Sequence, residues 1–418
     1  MNNKPNYNRG KTRYQIMNLM HITGAITPRS FKLFDNWKSV TNTMSLMRKE
    51  GIVEKVHNKT TFDALSLNDY RDNYEKYFYE NFPDMNLEYF ERYTKKNINR
   101  AKYDSTGKKT ERLLKDSEII TMMYAAGIPT LPDDKKMVVQ NKTLTDNVYY
   151  MSREIRQYSG FEPDVKILSE DEQKNVKELN RNTLITSEGY EFYENGKKVN
   201  TSRINGTLLT NGGNYNVYNL GKNINIWSVQ GEYKLKTYIE NMLANYINRN
   251  SYLIESAILF VYDLNTIERL IEPNKTNRKS YEGLAMTYKN IYVLPFDKCG
   301  REMIKIMSEP NWQIRLMENI MEEEHKDTSM VDTVCDYYDG EVYTFVFCVP
   351  NFARYIQFLK KAMFVKQQNL FRIICFDYQS EFVFRTANQY AKILQASFDD
   401  FRQEWNAITG TKLEKGKD

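Results

Sequence analysis

The chain has 418 residues, 41% of them hydrophobic and 27% charged, a length that suggests two or three domains at roughly 150 residues each and a composition that excludes wholesale disorder. No apolar run approaches the roughly eighteen residues of a membrane span, and the opening MNNKPNYNRG lacks a signal-peptide core, so a cytoplasmic protein with no membrane contact is expected. The net charge of +5 is uneven: Met1 to Thr60 holds eleven Lys and Arg against three Asp and Glu, a balance of +8, so everything after it is net acidic. Clustered cations at one end of a chain suit a phosphate backbone, because each neutralised phosphate releases condensed counterions.

The same segment carries a pattern of short elements. Ile16, Leu19, Met20 and Ile22 recur at helical spacing before Gly24. Thr27 and Pro28 suit the cap and first position of a second short helix through Phe31, Leu33 and Phe34, stopping at Asp35-Asn36. A third helix, Ser39 to Glu50, places Val40, Met44 and Met47 on one face, and Gly51 ends it. Ile52 to His57 and Thr61 to Leu67 read as two strands of a hairpin around Asn58-Lys59-Thr60.

Three short helices followed by a hairpin is the order of a winged helix-turn-helix, in which the third helix enters the major groove. Ser39, Thr41, Asn42, Ser45, Arg48 and Lys49 are then the candidate DNA-binding residues of that helix, with Asn42 and Arg48 nearest the bases. Lys55 and Lys59 of the hairpin are placed on phosphates. Winged helices also serve as protein-docking modules, and that reading stands beside the first.

Tyr70 to Tyr93 is rich in aromatic residues spaced like a helical pair broken at Pro83, read as packing rather than base stacking. Arg92 to Lys115 is a second basic run, nine cations against two acids. Asp116 to Gly127 reads as an apolar helix capped by Asp116 or Ser117, with an extended Ile128 to Pro132 after it. From Asn147 the pattern turns to short strands: Val148 to Ile155, Thr183 to Tyr193, Tyr215 to Asn219 and Asn223 to Trp227, with turn signals at Asn195-Gly196 and Asn211-Gly212-Gly213. Gly231 to Asn248 reads as a helix. From Ala257 strands and helices alternate: AILFVYD, a helix near Thr266 to Ile271, NIYVLPFD, a helix near Arg301 to Met307, VYTFVFCVP, a helix Phe352 to Phe364, and FRIICFDYQSEFVF, which indicates a parallel α/β sheet. Asp263, Asp297 and Asp377 fall at carboxyl ends of those strands, where they either line a ligand site or cap the next helix or turn.

Catalytic chemistry finds little to use. The histidines are three, His21, His57 and His325; the cysteines Cys299, Cys335, Cys348 and Cys375 lie far apart; and no nucleotide-binding glycine loop occurs,. Pro163-Asp164 with Glu232 and Lys234 can be read as the PD and ExK elements of a metal-dependent nuclease, with Arg153, Glu154 and Arg203 as neighbouring polar groups. Glu232 falls at the start of a predicted helix instead of the end of a strand, which does not suit that motif. No catalytic residue, no metal site and no cofactor are assigned.

The stretch Val40 to Val56 (VTNTMSLMRKEGIVEKV), together with Ser152-Arg153-Glu154-Ile155, resembles the replication-relaxation family of Gram-positive plasmids and conjugative elements. Ser202-Arg203-Ile204-Asn205-Gly206, Tyr215 to Asn219 and Trp227 look like segments of related mobile-element proteins. The resemblance is specific over roughly the first 70 residues and one of layout beyond them. It implies DNA binding in replication or mobilisation and supplies no catalytic residue.

The expected fold class is α+β multidomain: a winged helix-turn-helix at 1–68, a helical connector with a basic run at 69–146, a β-rich segment ending in a helix at 147–250, and an α/β domain at 251–418. The expected function is sequence-specific binding of double-stranded DNA by an accessory protein of a plasmid, conjugative element or phage, with a protein partner engaged through the carboxyl-terminal region. A homodimer is compatible with this layout. The alternatives are a divergent metal-dependent nuclease or nicking enzyme, and an inhibitor that binds a host or defence complex through the acidic stretch Asp63 to Glu91.

Overall fold

The computed structural model describes residues 12–57, 61–65, 108–130, 147–152, 183–186, 189–194, 197–201, 204–222, 231–233, 235–237, 239–240, 253–271, 281, 283–321 and 334–409. The chain is mixed α/β with several sheets, and it divides into two compact units, residues 1–207 with 242–250, and residues 208–241 with 251–418. The boundary runs through the stretch read from sequence as the 147–250 segment. Among the described residues no helix is long and apolar enough to cross a membrane.

The first unit begins with α1 (Thr12–Thr23), β1 (Ala25–Ile26), α2 (Pro28–Phe31), α3 (Trp37–Lys49), β2 (Val53–His57) and β3 (Thr61–Leu65). The strands form an antiparallel sheet in the order β1-β3-β2. Two helices differ from the sequence expectation. α2 ends at Phe31 and gives way to turns, and α3 starts two residues before Ser39, at Trp37.

The helix expected from Asp116 is longer. It forms α4 (Lys108–Ala125), so Asp116 and Ser117 lie inside it and cap nothing. Charged but helix-favouring residues, Lys108 to Lys115, extend it towards the amino terminus. Ser117 Oγ donates to the Ala25 carbonyl at 2.5 Å, and Thr27 Oγ1 donates to Glu118 Oε1 at 3.0 Å. Leu114 joins Ala25, Phe62 and Ala64 in one apolar cluster. Thus α4 closes the back of the three-stranded sheet, which neither segment's local pattern reveals. This unit also holds β4 (Val148–Met151) and an antiparallel three-stranded sheet, β5 (Thr183–Thr186), β6 (Gly189–Glu194) and β7 (Lys197–Thr201), in the order β5-β6-β7.

The second unit contains two groups of parallel strands. β8 (Gly206–Thr210), which the unit boundary crosses after Thr207, β9 (Gly213–Gly221), β10 (Ser256–Val261) and β11 (Asn290–Pro295) lie in the order β11-β10-β9-β8, with β9, β10 and β11 parallel. β12 (Tyr337–Tyr338), β13 (Tyr343–Val346), β14 (Phe371–Phe376) and β15 (Lys392–Ala396) lie side by side in sequence order, with β13, β14 and β15 parallel. β10 is buried at every position, as a strand covered on both faces should be,. The connecting helices are α5 (Glu268–Ile271), α6 (Lys298–Met307), α7 (Trp312–Ile320), α8 (Phe352–Val365), α9 (Ser380–Ala387) and α10 (Phe398–Thr409). The alternation and the parallel pairing agree with the sequence expectation. α7, β12, β15 and α10 are additions to it, and the stretch read as FRIICFDYQSEFVF divides into strand β14 and helix α9, which begins at Ser380.

Candidate nucleic-acid interface

α3 is built as a two-faced helix. Val40, Met44 and Met47 are buried at i, i+4 and i+7, which fixes the opposite stripe as Lys38, Asn42, Ser45 and Lys49, all exposed,. The helix contains no Asp or Glu from Trp37 to Lys49, so this outward face is cationic and polar throughout. Within the described residues Asn42, Ser45 and Lys49 make no hydrogen bond or ion pair, and Lys38 sits 6.0 Å from the Trp37 ring centroid. Leu46, beside this stripe, is 54% exposed.

The carboxyl end of α3 is pinned by local chemistry. Gly51 has φ of 74°, a left-handed conformation that glycine adopts without a Cβ penalty,. The Gly51 amide donates to the Arg48 carbonyl at 3.1 Å and the Ile52 amide to the Met47 carbonyl at 3.0 Å. That pair of bonds is the Schellman closure, and it turns the chain directly into β2.

Arg48 is engaged inside the module. Its Nε and Nη2 donate to the two carboxylate oxygens of Asp63 at 2.6 and 2.7 Å, and the Asp63 side chain is 1% exposed. The hydrogen bonds to Asp63 hold the guanidinium protonated above its ordinary range,. The fork therefore ties α3 to β3 and cannot present both nitrogens to a guanine edge while this bond persists. Arg13 bonds Glu50 in the same bidentate manner across α1 and the end of α3, in a more exposed setting.

The other residues expected to contact DNA fall into three groups. Ser39 Oγ lies 3.3 Å from Thr12 Oγ1, which also accepts from Asn36 Nδ2 at 3.0 Å, and Thr41 Oγ1 donates back to the Trp37 carbonyl at 2.9 Å. These two hydroxyls are partly committed to the fold. Lys55 is exposed on β2. Lys59 lies outside the described residues. The sequence reading missed Asp63 as the partner of Arg48, because an acid alternating with Phe62 and Ala64 reads as an ordinary outward strand position,.

The nuclease residues separate differently. Asp164, Lys234, Arg153, Glu154 and Arg203 lie outside the described residues, as do the aromatic stretch Tyr70 to Tyr93, the turn Asn195-Gly196 and Asn223 to Trp227. Glu232 is 3% exposed and accepts from Tyr218 Oη at 2.7 Å. Tyr218 and Tyr288 hydroxyls are 2.8 Å apart, and Asn216 Nδ2 donates to Tyr288 Oη at 2.9 Å. Burial pushes both phenols well above their ordinary range, so they act as neutral hydrogen-bonding groups,. Among the described residues no cluster of three or more His, Cys, Asp or Glu could hold a metal ion.

Asp263 and Asp297 serve as helix caps, and Asp377 bonds nearby amides. Asp263 accepts from the Asn265 amide at 2.9 Å and Asp297 from the Gly300 amide at 3.1 Å. Asp377 accepts from the Tyr378 amide at 2.8 Å and the Phe398 amide at 3.4 Å. No family model matches the chain, and no curated protein and no solved structure gives a significant match.

Proposed function

We propose that the chain is a sequence-specific double-stranded DNA-binding protein, that residues 12–57 and 61–65 form the core of a winged helix-turn-helix, and that α3 is its recognition helix. The observation that carries this reading is the outward stripe Lys38, Asn42, Ser45 and Lys49. It is exposed, free of acids and held at a fixed angle by the Arg48 to Asp63 fork and the Gly51 closure. Asn can bond both N6 and N7 of adenine, and lysines at either end of the helix suit flanking phosphates. The β1-β3-β2 sheet behind three helices supports the winged reading, with β2 and β3 as the hairpin,. Arg48 is a positioning residue in this scheme instead of a base contact. A role in replication or mobilisation of a mobile element rests on the resemblance of Val40 to Val56, and the α/β unit is assigned to partner binding.

The test is binding of the full chain to selected and random duplexes from low to moderate salt. Affinity should fall steeply with salt, and Lys49→Ala should reduce the slope by about one. Lys360→Ala, an exposed lysine of α8, should leave both unchanged. Absence of duplex binding, or affinity indifferent to salt, overturns the proposal.

A further inference from the structure

Leu46 has no structural task that its position explains. It lies one helical turn after Asn42 and one residue after Ser45, 54% exposed, while the buried face of the same helix is filled by Val40, Met44 and Met47. An isolated exposed leucine is ordinary on a protein surface. This one stands beside the polar stripe of an acid-free helix, where Lys38 and Lys49 make the surroundings complementary to a polyanion. The major groove of DNA offers one apolar group to such a side chain, the C5 methyl of thymine.

We infer that Leu46 is a specificity-determining residue that packs against a thymine methyl, so that the preferred site contains an A·T pair within about two base steps of the adenine read by Asn42. The inference rests on the DNA-binding reading above and deepens it. Geometry sets the reach: residues four apart on a helix are separated by about 6 Å along its axis, and successive base pairs by about 3.4 Å, so the two side chains address base pairs no more than about two steps apart. Burying a methyl against a leucine end removes about one methyl's worth of apolar surface from water, which corresponds to roughly a three- to tenfold gain in affinity.

The experiment uses the full-length protein and a duplex selected from random sequence, in which each thymine is replaced in turn by deoxyuridine, which lacks only the methyl. One replacement should weaken native binding by about three- to tenfold. Leu46→Ala should lose a similar factor on the thymine duplex and show no further loss on the uracil duplex. Leu46→Met, which keeps an apolar end, should retain the thymine preference. Unchanged thermal unfolding of both variants, expected for an exposed helical site, separates the effect from misfolding. If no thymine replacement matters to the native protein, or if Leu46→Ala loses equally on both duplexes, the inference fails while DNA binding stands. If no duplex is bound at any salt concentration, the DNA-binding reading falls and takes this inference with it.

Discussion

On α3 the side chains of Asn42, Ser45 and Lys49 make no hydrogen bond or ion pair within the described residues, whereas at the ends of β10, β11 and β14 Asp263, Asp297 and Asp377 each accept a backbone amide. Both regions place polar residues where a ligand could reach them. In the α/β unit the strand-end acids close helices and turns, and Glu232 is absorbed into a buried phenol network. In the amino-terminal module the polar groups that serve the fold, Arg48 and Asp63, are distinct from the ones that face outward. Polar residues bonded within the chain report on how it folds, whereas Asn42, Ser45 and Lys49 of α3 are exposed to water and stay available to a ligand,.

Alkaline titration should separate the two regions most widely. All four cysteines lie in residues of the α/β unit, and burial pushes the Cys299 and Cys375 thiols from an ordinary 9.0 up to about 12. An unfolded thiol ionises first, so the folded state holds more protons between these values. The associated stability is complete below about pH 9 and is lost as pH rises towards 12,. The Arg48 guanidinium stays charged across this window. Unfolding monitored by hydrogen exchange should show the α/β unit weakening by several kcal/mol while α3 and its hairpin hold. Equal loss in both regions would break the contrast.

A steric test comes next in size. A Cβ at Gly300, in the first turn of α6, would lie 1.9 Å from the Pro295 carbonyl oxygen, a backbone atom of β11. Gly300→Ala must therefore displace helix from strand, and a loss of about 3 kcal/mol or more in denaturant unfolding is expected. Duplex affinity measured below the unfolding transition should be retained, because the variant leaves α3 untouched.

Removing the Arg48 fork should act on the other region. Arg48→Ala leaves the Asp63 carboxylate buried without its bidentate partner, and because the guanidinium is itself about a third exposed, the expected cost is about 2 to 3 kcal/mol of module stability. Affinity for selected and random duplexes should fall by the same factor, since the helix is mispositioned for both. Asn42→Ala should do the opposite: no change in stability, and about 1 to 3 kcal/mol lost on the selected duplex with little on random DNA. A sequence-selective defect in Arg48→Ala would return that residue to the bases.

Much of this layout is legible in local sequence. The apolar spacing of Val40, Met44 and Met47 is a helix signal, Gly51 is a stop signal, and the alternation from Ala257 onward marks α/β architecture. What escapes is long-range. β1 is two residues long, too short for any periodicity, and exists because Ala25 and Ile26 pair with Ala64 and Asp63. The Arg48 to Asp63 fork depends on how the hairpin meets α3, and a side chain read only from its helix position is assigned outward. Tyr288 reaches Tyr218 across seventy residues of sequence, because β9, which carries Tyr218, and β11, which follows Tyr288, both pair with β10. The start of α4 is hidden by a charge run whose residues favour helix as strongly as they favour solvent.

The smallest expected effect contrasts a second glycine with Gly300. At Gly51 an added Cβ would meet nothing within 4 Å, yet φ is +74°, so the difficulty is conformational and not steric crowding from elsewhere in the fold. An L-residue in the left-handed region costs about 1 to 2 kcal/mol, partly offset because alanine also restricts the unfolded chain. Gly51→Ala should therefore lower module stability by about 1 kcal/mol, and Gly51→Asn, a residue that tolerates this region, by less. The carbonyls of Met47 and Arg48 would keep their amide partners in the asparagine variant, so α3 should still end where it does and duplex preference should be unchanged. If alanine and asparagine were equally costly, the left-handed closure would not be what holds the end of α3, and the orientation of the Lys38 to Lys49 stripe would have to be set by Arg48 and Asp63 alone.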